Sequence, residues 1–300
     1  MRADSSSFAK IDPAHILDGL FVPRRKEGES LFGVEGKFKN GIVSFKGVQL
    51  SVTHQSVLLA IAARTGRQQK NEGLIVNGSR DDLLARQMSL LRTTGPAADQ
   101  DISRVECSAY ALLKDAGMGS GKSDYMALKN LLHEMSTVVL RRDYEGKSGT
   151  SHLLSYQSLD DHLMVSLNWR MTDAIFGGQN IQVSLHERQE LTGPVAKILH
   201  TWLSAYINKG ASLMAGRGAS VDTLVNHVYG KRPCKSGAKR RRKQYVVAAL
   251  KEINNLEGWG VQIENNRANI RRSDIVYVME DIPPGDMAEA EAFICSLDRD

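Results

Sequence analysis

The residues with the plainest chemistry form one run, Lys239-Arg240-Arg241-Arg242-Lys243-Gln244-Tyr245. From Lys231 to Lys243 there are eight Lys or Arg residues and no acid. Ammonium and guanidinium groups are donors only, so what they recognise is an array of acceptors: phosphate oxygens, and the acceptor edge of guanine. Gln244 can pair with adenine, and Tyr245 can reach a sugar or phosphate. Five consecutive cations spread around about 1.4 helical turns, so some must bind phosphate while one or two read bases. Lys235 lies just upstream. Downstream, Arg267, Asn269, Arg271 and Arg272 supply a second group of donors. If about six cations neutralise phosphates, the log–log salt slope of binding is about −5. The plainer alternative is a solvated basic face without a specific partner.

Weaker candidates lie in the first half: Lys122, Ser123, Lys129 and Asn130, with Arg141 and Arg142 further on. Ala116-Gly117-Met118-Gly119-Ser120-Gly121-Lys122-Ser123 formally fits a relaxed phosphate-loop pattern, which would make a nucleotide-dependent enzyme using Lys122. A phosphate loop must leave a buried strand. Here the preceding Tyr110–Asp115 reads as an amphipathic helix, and no apolar strand ending in Asp follows to hold magnesium. His186-Glu187 and Asp160-Asp161-His162 read as surface neighbours rather than metal ligands. Trp202 and Tyr206 share an apolar helix face and read as core. No HExxH, His-x-His pair or CxxC occurs, so neither a metal nor another cofactor is expected.

These residues must be positioned by a chain of 300 residues, enough for two modest domains. A formal charge of +5 is weak support for a polyanionic partner, but the charge is unevenly spread: Glu280–Asp300 carries seven acids and one Arg. No apolar run of about 18 residues exists, so no membrane partner is expected. The polar start lacks a signal-peptide core, and three scattered cysteines suit a reducing cytoplasm.

The first thirty residues read as an extended arm ending in Arg24-Arg25-Lys26. Gly41–Phe45 and Val48–Val52 read as a hairpin, and Thr53 caps a helix bearing Val57, Leu58, Ile61 and Ala62. Residues 65–80 and 95–100 read as loops. Ser108 caps a helix over 109–116, Gly117–Gly121 turn, and a second helix starts at Lys122 or Ser123. Strands at Thr137–Arg142 and Thr150–Gln157 follow. Helix, turn, helix, hairpin is the winged helix-turn-helix order. The order returns later. Strands at 163–168 and 181–185 flank a short helix over 169–176, and Pro194 opens a long helix. Ser220 caps a short helix, and a helix from Ala238 to Leu256 carries the basic run. Trp259–Glu264 and Ala268–Arg272 make a wing. In this reading Lys239–Tyr245 opens the recognition helix. The first helix pair either touches DNA or mediates dimerisation.

The sequence also resembles a known family, the RepC replication initiators of IncQ-type plasmids. The likeness rests on Asp12-Pro13-Ala14-His15-Ile16-Leu17 with Gly19-Leu20-Phe21, on Leu163–Asn168, and on Gly177-Gly178-Gln179 with Val183-Ser184-Leu185. It continues through Ala196–His200, Ala219–Leu224, the basic run and Leu256-Glu257-Gly258-Trp259. Coverage is good over about 150–272 and at 10–21, and thin over about 60–105. More loosely the pattern is similar to the iteron-binding initiators that include TrfA and the RepA/RepE/π proteins. The resemblance implies two pseudo-symmetric winged helices and a linker near 190–193. It implies binding to direct repeats of double-stranded DNA at an origin, opening of an adjacent A+T-rich region, and a replicative helicase as partner.

The expected fold is therefore α+β with two tandem winged helix-turn-helix domains. The expected divisions are an arm over 1–30, domains over 31–190 and 191–280, and an acidic tail over 281–300. Protomers would act as a homodimer or as a cooperative array on DNA, without catalysis. A winged-helix transcriptional repressor remains the alternative.

Overall fold

The computed structural model describes residues 8–25, 28–31, 33–38, 41–68, 89–159 and 162–273. Residues 1–7 of the arm, Lys26, the Asp160-Asp161 pair and the acidic tail lie outside the described residues. The fold is mixed α/β. Its buried apolar residues form two clusters, one drawn from Ala9 to Leu185 and the other from Leu191 to Ile270.

Around the first cluster run β1 (Phe8–Ile11), β2 (Phe21–Val22), β3 (Glu35–Phe38), β4 (Gly41–Lys46), β5 (Leu50–Ser51) and α1 (Val52–Gln68). Then come β6 (Ser103–Ser108), α2 (Ala109–Asp115), α3 (Lys122–Thr137), β7 (Val139–Tyr144), β8 (Lys147–His152), β9 (Leu154–Leu159) and β10 (His162–Leu167). Next are α4 (Trp169–Phe176), β11 (Ile181–Ser184) and α5 (Leu185–Glu190). α1 is the centre of this half. Every residue from His54 to Ala63 is buried, because α1 packs against β1, β6, α2, α3 and α4 at once. A helix enclosed on all sides has no need of a polar stripe.

The sheets correct several expectations. Gly41–Phe45 and Val48–Val52 do not form a hairpin: β4 is already paired on both edges, with β3 and β7, in the antiparallel order β3-β4-β7-β8. β5 instead pairs in parallel with β2. The expected strand over Thr150–Gln157 breaks at Leu153, which is fully buried, and the chain then leaves that sheet. Its second part, β9, joins β10 and β6, a strand that the sequence reading missed.

From Phe8 onward the N-terminal segment packs into the fold and does not extend as an arm. β1 pairs antiparallel with β11, and Ala9 and Ile11 are buried. Asp12 caps a 3-10 turn over Pro13–Ile16 and bonds Arg170 with both carboxylate oxygens. Ile16 packs against both clusters. Gln49 donates from Nε2 to the Gly19 and Leu20 carbonyls, which holds the next turn in place.

The second cluster is built by α6 (Pro194–Tyr206), β12 (Ala219–Ser220), α7 (Val221–Tyr229), α8 (Ser236–Ile253), β13 (Trp259–Glu264) and β14 (Arg267–Arg272), with strand order β12-β14-β13. The expected cap is present at Ser220, whose Oγ accepts from the Thr223 amide. Pro194 stands in the first turn of α6, where its missing N–H costs nothing. Trp202 is core as expected, but Tyr206 is half exposed, since α6 ends there at the rim of the cluster.

α5 ties the halves together. Arg188 is 3% exposed and donates to Gln55 and Ser56 of α1 and to Lys197 and Thr201 of α6. Burial pushes its guanidinium down to about 9. Glu187 corrects the surface reading of His186-Glu187. It accepts from Trp259 Nε1 at 3.0 Å and from Arg272, and bonds His200 Nε2 at 2.7 Å. Burial works to raise the Glu187 carboxyl, but the His200 bond, the His200 and Arg272 charges and the Trp259 bond outweigh it, bringing it to about 2.

Candidate nucleic-acid interface

α8 begins two residues before the expected Ala238, with Lys235 at its N-cap in extended conformation (φ −62°, ψ 150°). No acid occupies its first turn, so the free amides, the helix dipole and the cations that follow all favour an anion there. Its buried face is Val246, Ala249, Leu250 and Ile253, as the 3.6-residue period predicts.

That buried face sorts the cations. At about 100° per residue, Gln244 falls opposite the centre of that face, with Arg240 and Arg241 to either side of it, and all three are exposed. Lys239 and Lys243 point along the flank towards α7, where their ammonium groups lie 3.5 Å and 2.7 Å from the Asp222 carboxylate. Arg242 turns the other way and lies over the Tyr229 ring, 4.8 Å from its centroid. Burial raises the Tyr229 hydroxyl to about 12, with the Arg242 charge working against it. Tyr245 is 53% exposed and lines a cleft of about 450 Å³ with Pro194 and Arg24. Only three of the seven residues in the run therefore face straight outwards.

The β13–β14 hairpin turns at Asn265-Asn266, with φ of 47° and 62°. Two consecutive left-handed residues make the type I′ turn that suits a twisted hairpin, and Asn tolerates that conformation. Along β14 exposure alternates: Arg267, Asn269 and Arg271 face solvent, while Ala268, Ile270 and Arg272 are buried. Arg272 therefore leaves the candidate surface. It is 9% exposed, bonds Glu187 and stacks over Trp259 at 4.9 Å. Adjacent strand residues point to opposite faces, so Arg271 and Arg272 were never able to act together. Arg267 donates to the Arg217 carbonyl.

Asp222, which the sequence reading did not single out, joins the two elements. Its carboxylate accepts from Lys243 Nζ and, at 3.0 Å, from Asn266 Nδ2 in the hairpin turn. These two bonds, with the Lys243 and Lys239 charges, hold the carboxyl below its usual range. The start of α8 and the tip of the hairpin thus share one anchor.

The first-half candidates are dispersed. Lys122, Ser123, Lys129 and Asn130 are exposed on α3. The glycine-rich turn before α3 follows a helix, α2, and not a strand. Its anion position is filled from within: the Gly121 amide donates to Asp124 Oδ2 at 2.9 Å, and a Cβ at Gly119 would lie 2.5 Å from that oxygen. This geometry removes the phosphate-loop reading of Lys122. Arg141 forms a bidentate pair with Asp143 on one face of β7. Arg142, on the other face, lies 5.2 Å from the centroids of both Tyr144 and Trp169. Among the described residues no group of His, Cys, Asp and Glu can hold a metal ion, and no helix is long and apolar enough to cross a membrane.

Known proteins are similar to this chain over most of its length. The family described as Replication protein C (RepC) matches residues 4–274. No curated protein matches. A crystal structure of domains 2 and 3 of RctB is similar with a TM-score of 0.50 at 8% identity, covering 86% of this chain and 94% of that one. A selenomethionine derivative of the same two domains gives 0.49 at 10% identity, covering 88% and 99%. At such identity the likeness concerns the fold. The family match takes in the N-terminal segment, both apolar clusters and the basic helix: this chain belongs to the replication protein C family.

Proposed function

We propose that the chain initiates plasmid replication by binding repeated double-stranded sites at an origin through α8 and the β13–β14 hairpin. The observation that carries this reading is the outward face of α8. It presents Arg240, Arg241 and Gln244, with the exposed Arg267, Asn269 and Arg271 on the hairpin that Asp222 anchors to the helix start. A helix of this kind fits the major groove, and a basic hairpin beside it meets the flanking phosphates.

In this reading residues 31–190 and 191–280 are two winged helices. α7, α8 and the hairpin make the reading module, with α2, α3 and β7–β8 as its counterpart. Arg240 or Arg241 reads guanine, Gln244 reads adenine, and the remaining donors hold phosphates. Several protomers on adjacent repeats bend the duplex, and bending lowers the cost of opening a flexible A+T-rich segment nearby. A replicative helicase then takes the opened strand. The chain's own part is binding and deformation, without bond-making chemistry.

Footprinting on the cognate origin tests this. Protection of several direct repeats, each about two helical turns long, with a log–log salt slope of about −4 to −5, is the expected result. Protection of a single palindrome would instead make the chain a repressor. Opening that needed ATP hydrolysis by this chain alone would sink the reading.

A further inference from the structure

The first half carries a second feature of the kind nucleic acids bind, far from the basic helix in sequence. Tyr144, Arg142, Trp169, Arg170 and Phe38 form an alternating ladder of rings and guanidiniums. The successive ring-to-guanidinium distances are 5.2, 5.2, 5.5 and 5.6 Å. Three separate elements supply it: β7, the first turn of α4 and the edge strand β3. Asn168 fixes the backbone at the start of α4 by accepting from the Arg170 and Met171 amides.

Two cavities share the ladder as a wall. One, of about 250 Å³, is lined by Arg142, Tyr144, Trp169 and Lys147; the other, of about 200 Å³, by Arg142, Trp169, Arg170 and Phe38. Acids also line both cavities: Glu145, which bonds the Tyr144 hydroxyl, in the first, and Asp12, which bonds Arg170, in the second. Asp173 also lines the second cavity. Trp169 Nε1 is buried and has no hydrogen-bond partner among the described residues, which leaves one donor at the ladder to be met.

We propose that this ladder is a binding site for single-stranded DNA, with unstacked bases seated in the two cavities against Trp169 and Tyr144 and phosphates met by Arg142 and Lys147. A duplex is the wrong ligand, because its bases are already stacked on one another and cannot enter the cavities beside Tyr144 and Trp169. Two cavities with one shared wall suit consecutive bases of one strand better than a lone nucleotide. Alternating rings and cations are what a sequence-tolerant strand platform needs. The strand would come from the opened origin, a source that rests on the preceding reading; the site itself does not.

The test is fluorescence anisotropy of the full chain with labelled oligo(dT) of roughly 16 nucleotides, beside a labelled duplex carrying the repeats. Tyr144→Ala and Arg142→Gln should each weaken oligo(dT) binding about tenfold and weaken duplex binding far less. Trp169→Phe, which keeps a ring, should retain more strand affinity than Trp169→Leu. Arg240→Ala with Arg241→Ala should do the reverse, losing the duplex and keeping the strand. Oligo(dT) should also quench tryptophan emission, since Trp202 and Trp259 are only 6% and 5% exposed and Trp169 is the more open. Tyr144 is 40% exposed, so its variant decides even where the others lower the melting temperature. Absence of oligo(dT) binding, or strand affinity that survives Tyr144→Ala but falls with the Arg240 and Arg241 changes, overturns the proposal. Loss of duplex binding alone counts against the origin-binding role only.

Discussion

Lys243 sets its ammonium group 2.7 Å from the Asp222 carboxylate, so the free protein already neutralises a cation that faces away from the outward surface of α8. Lys239 shares the same carboxylate at 3.5 Å. Any phosphate that approaches this flank must compete with Asp222. Asp222→Asn keeps a side chain able to accept from Lys243 and removes the competing charge. We expect Asp222→Asn to tighten duplex binding several-fold, and to steepen the log–log salt slope by about one as a released lysine engages phosphate. Because the charge is non-specific, affinity for unrelated duplex should rise at least as much as for the repeats. Titrations at several salt concentrations check this; an unchanged slope would mean that Lys243 stays with residue 222 on DNA.

Arg271 and Arg272 are neighbours with opposite fates. Arg271→Ala should weaken duplex binding and leave the melting temperature within a degree or so. Arg272→Ala should cost stability on the order of 3 kcal/mol, because it strips the Glu187 carboxylate of its guanidinium partner in a largely buried site. Urea unfolding and anisotropy on both variants separate the roles. Equal effects of the two on binding would refute the alternation of exposure along β14.

That pair also shows what was legible in the sequence. Local signals held where one element decides them. Ser108 and Ser220 cap the helices they precede, and the hairpin turn falls at Asn265-Asn266; Thr53 does not cap, since α1 already starts at Val52. Placement failed where a distant partner decides. Phe8–Ile11 reads as an arm until β11 pairs with it, because four residues carry no periodicity long enough to show a buried strand. Glu187 reads as a surface acid until His200, Trp259 and Arg272 converge on it from three elements. The basic run was visible as charge, but its division into outward, Asp222-bound and Tyr229-stacked members depends on where α7 packs. Arg272 is the exception that needed no structure: strand alternation alone would have removed it from the candidate surface.

His54 predicts acid sensitivity in the first half. Its Nδ1 accepts from the Ser51 amide at 3.0 Å, so Nε2 carries the proton and donates to Glu134 at 2.8 Å. Burial is the largest influence on the ring and lowers it from 6.5 to about 4, against the pull of Glu134. A second proton would sit on Nδ1, facing a donor. With the folded value below the unfolded one, the unfolded chain takes up the proton first. The contribution is therefore fully present above about pH 6.5 and is lost as pH falls towards about 4. Unfolding free energy should drop by a few kcal/mol across that window, and His54→Gln should flatten part of the drop. A pH profile as steep in His54→Gln as in the parent protein would remove His54 as the cause.

Gly19 is where the N-terminal segment meets the second cluster. Its φ is +73°, and an added Cβ would lie 2.8 Å from the Gly230 Cα and 3.1 Å from the Gly230 amide nitrogen. Neither is a flexible side chain that can move aside. Its own amide donates to the His227 carbonyl at 2.9 Å, while Asp18 bonds the His227 ring at 3.2 Å. Gly19→Ala must therefore bear a left-handed conformation costing about 1–2 kcal/mol and also push the C-terminus of α7 away. Stability should fall by more than the conformational term alone. Amide exchange should quicken near Gly19 and around His227–Gly230, but less within the α1 core. Because α7 carries Asp222 nine positions or fewer from that contact, the same variant should also loosen the anchor of α8 and lower duplex affinity modestly. If Gly19→Ala matched the parent in stability, the backbone approach between residues 19 and 230 would not exist in solution, and this route of coupling would go with it.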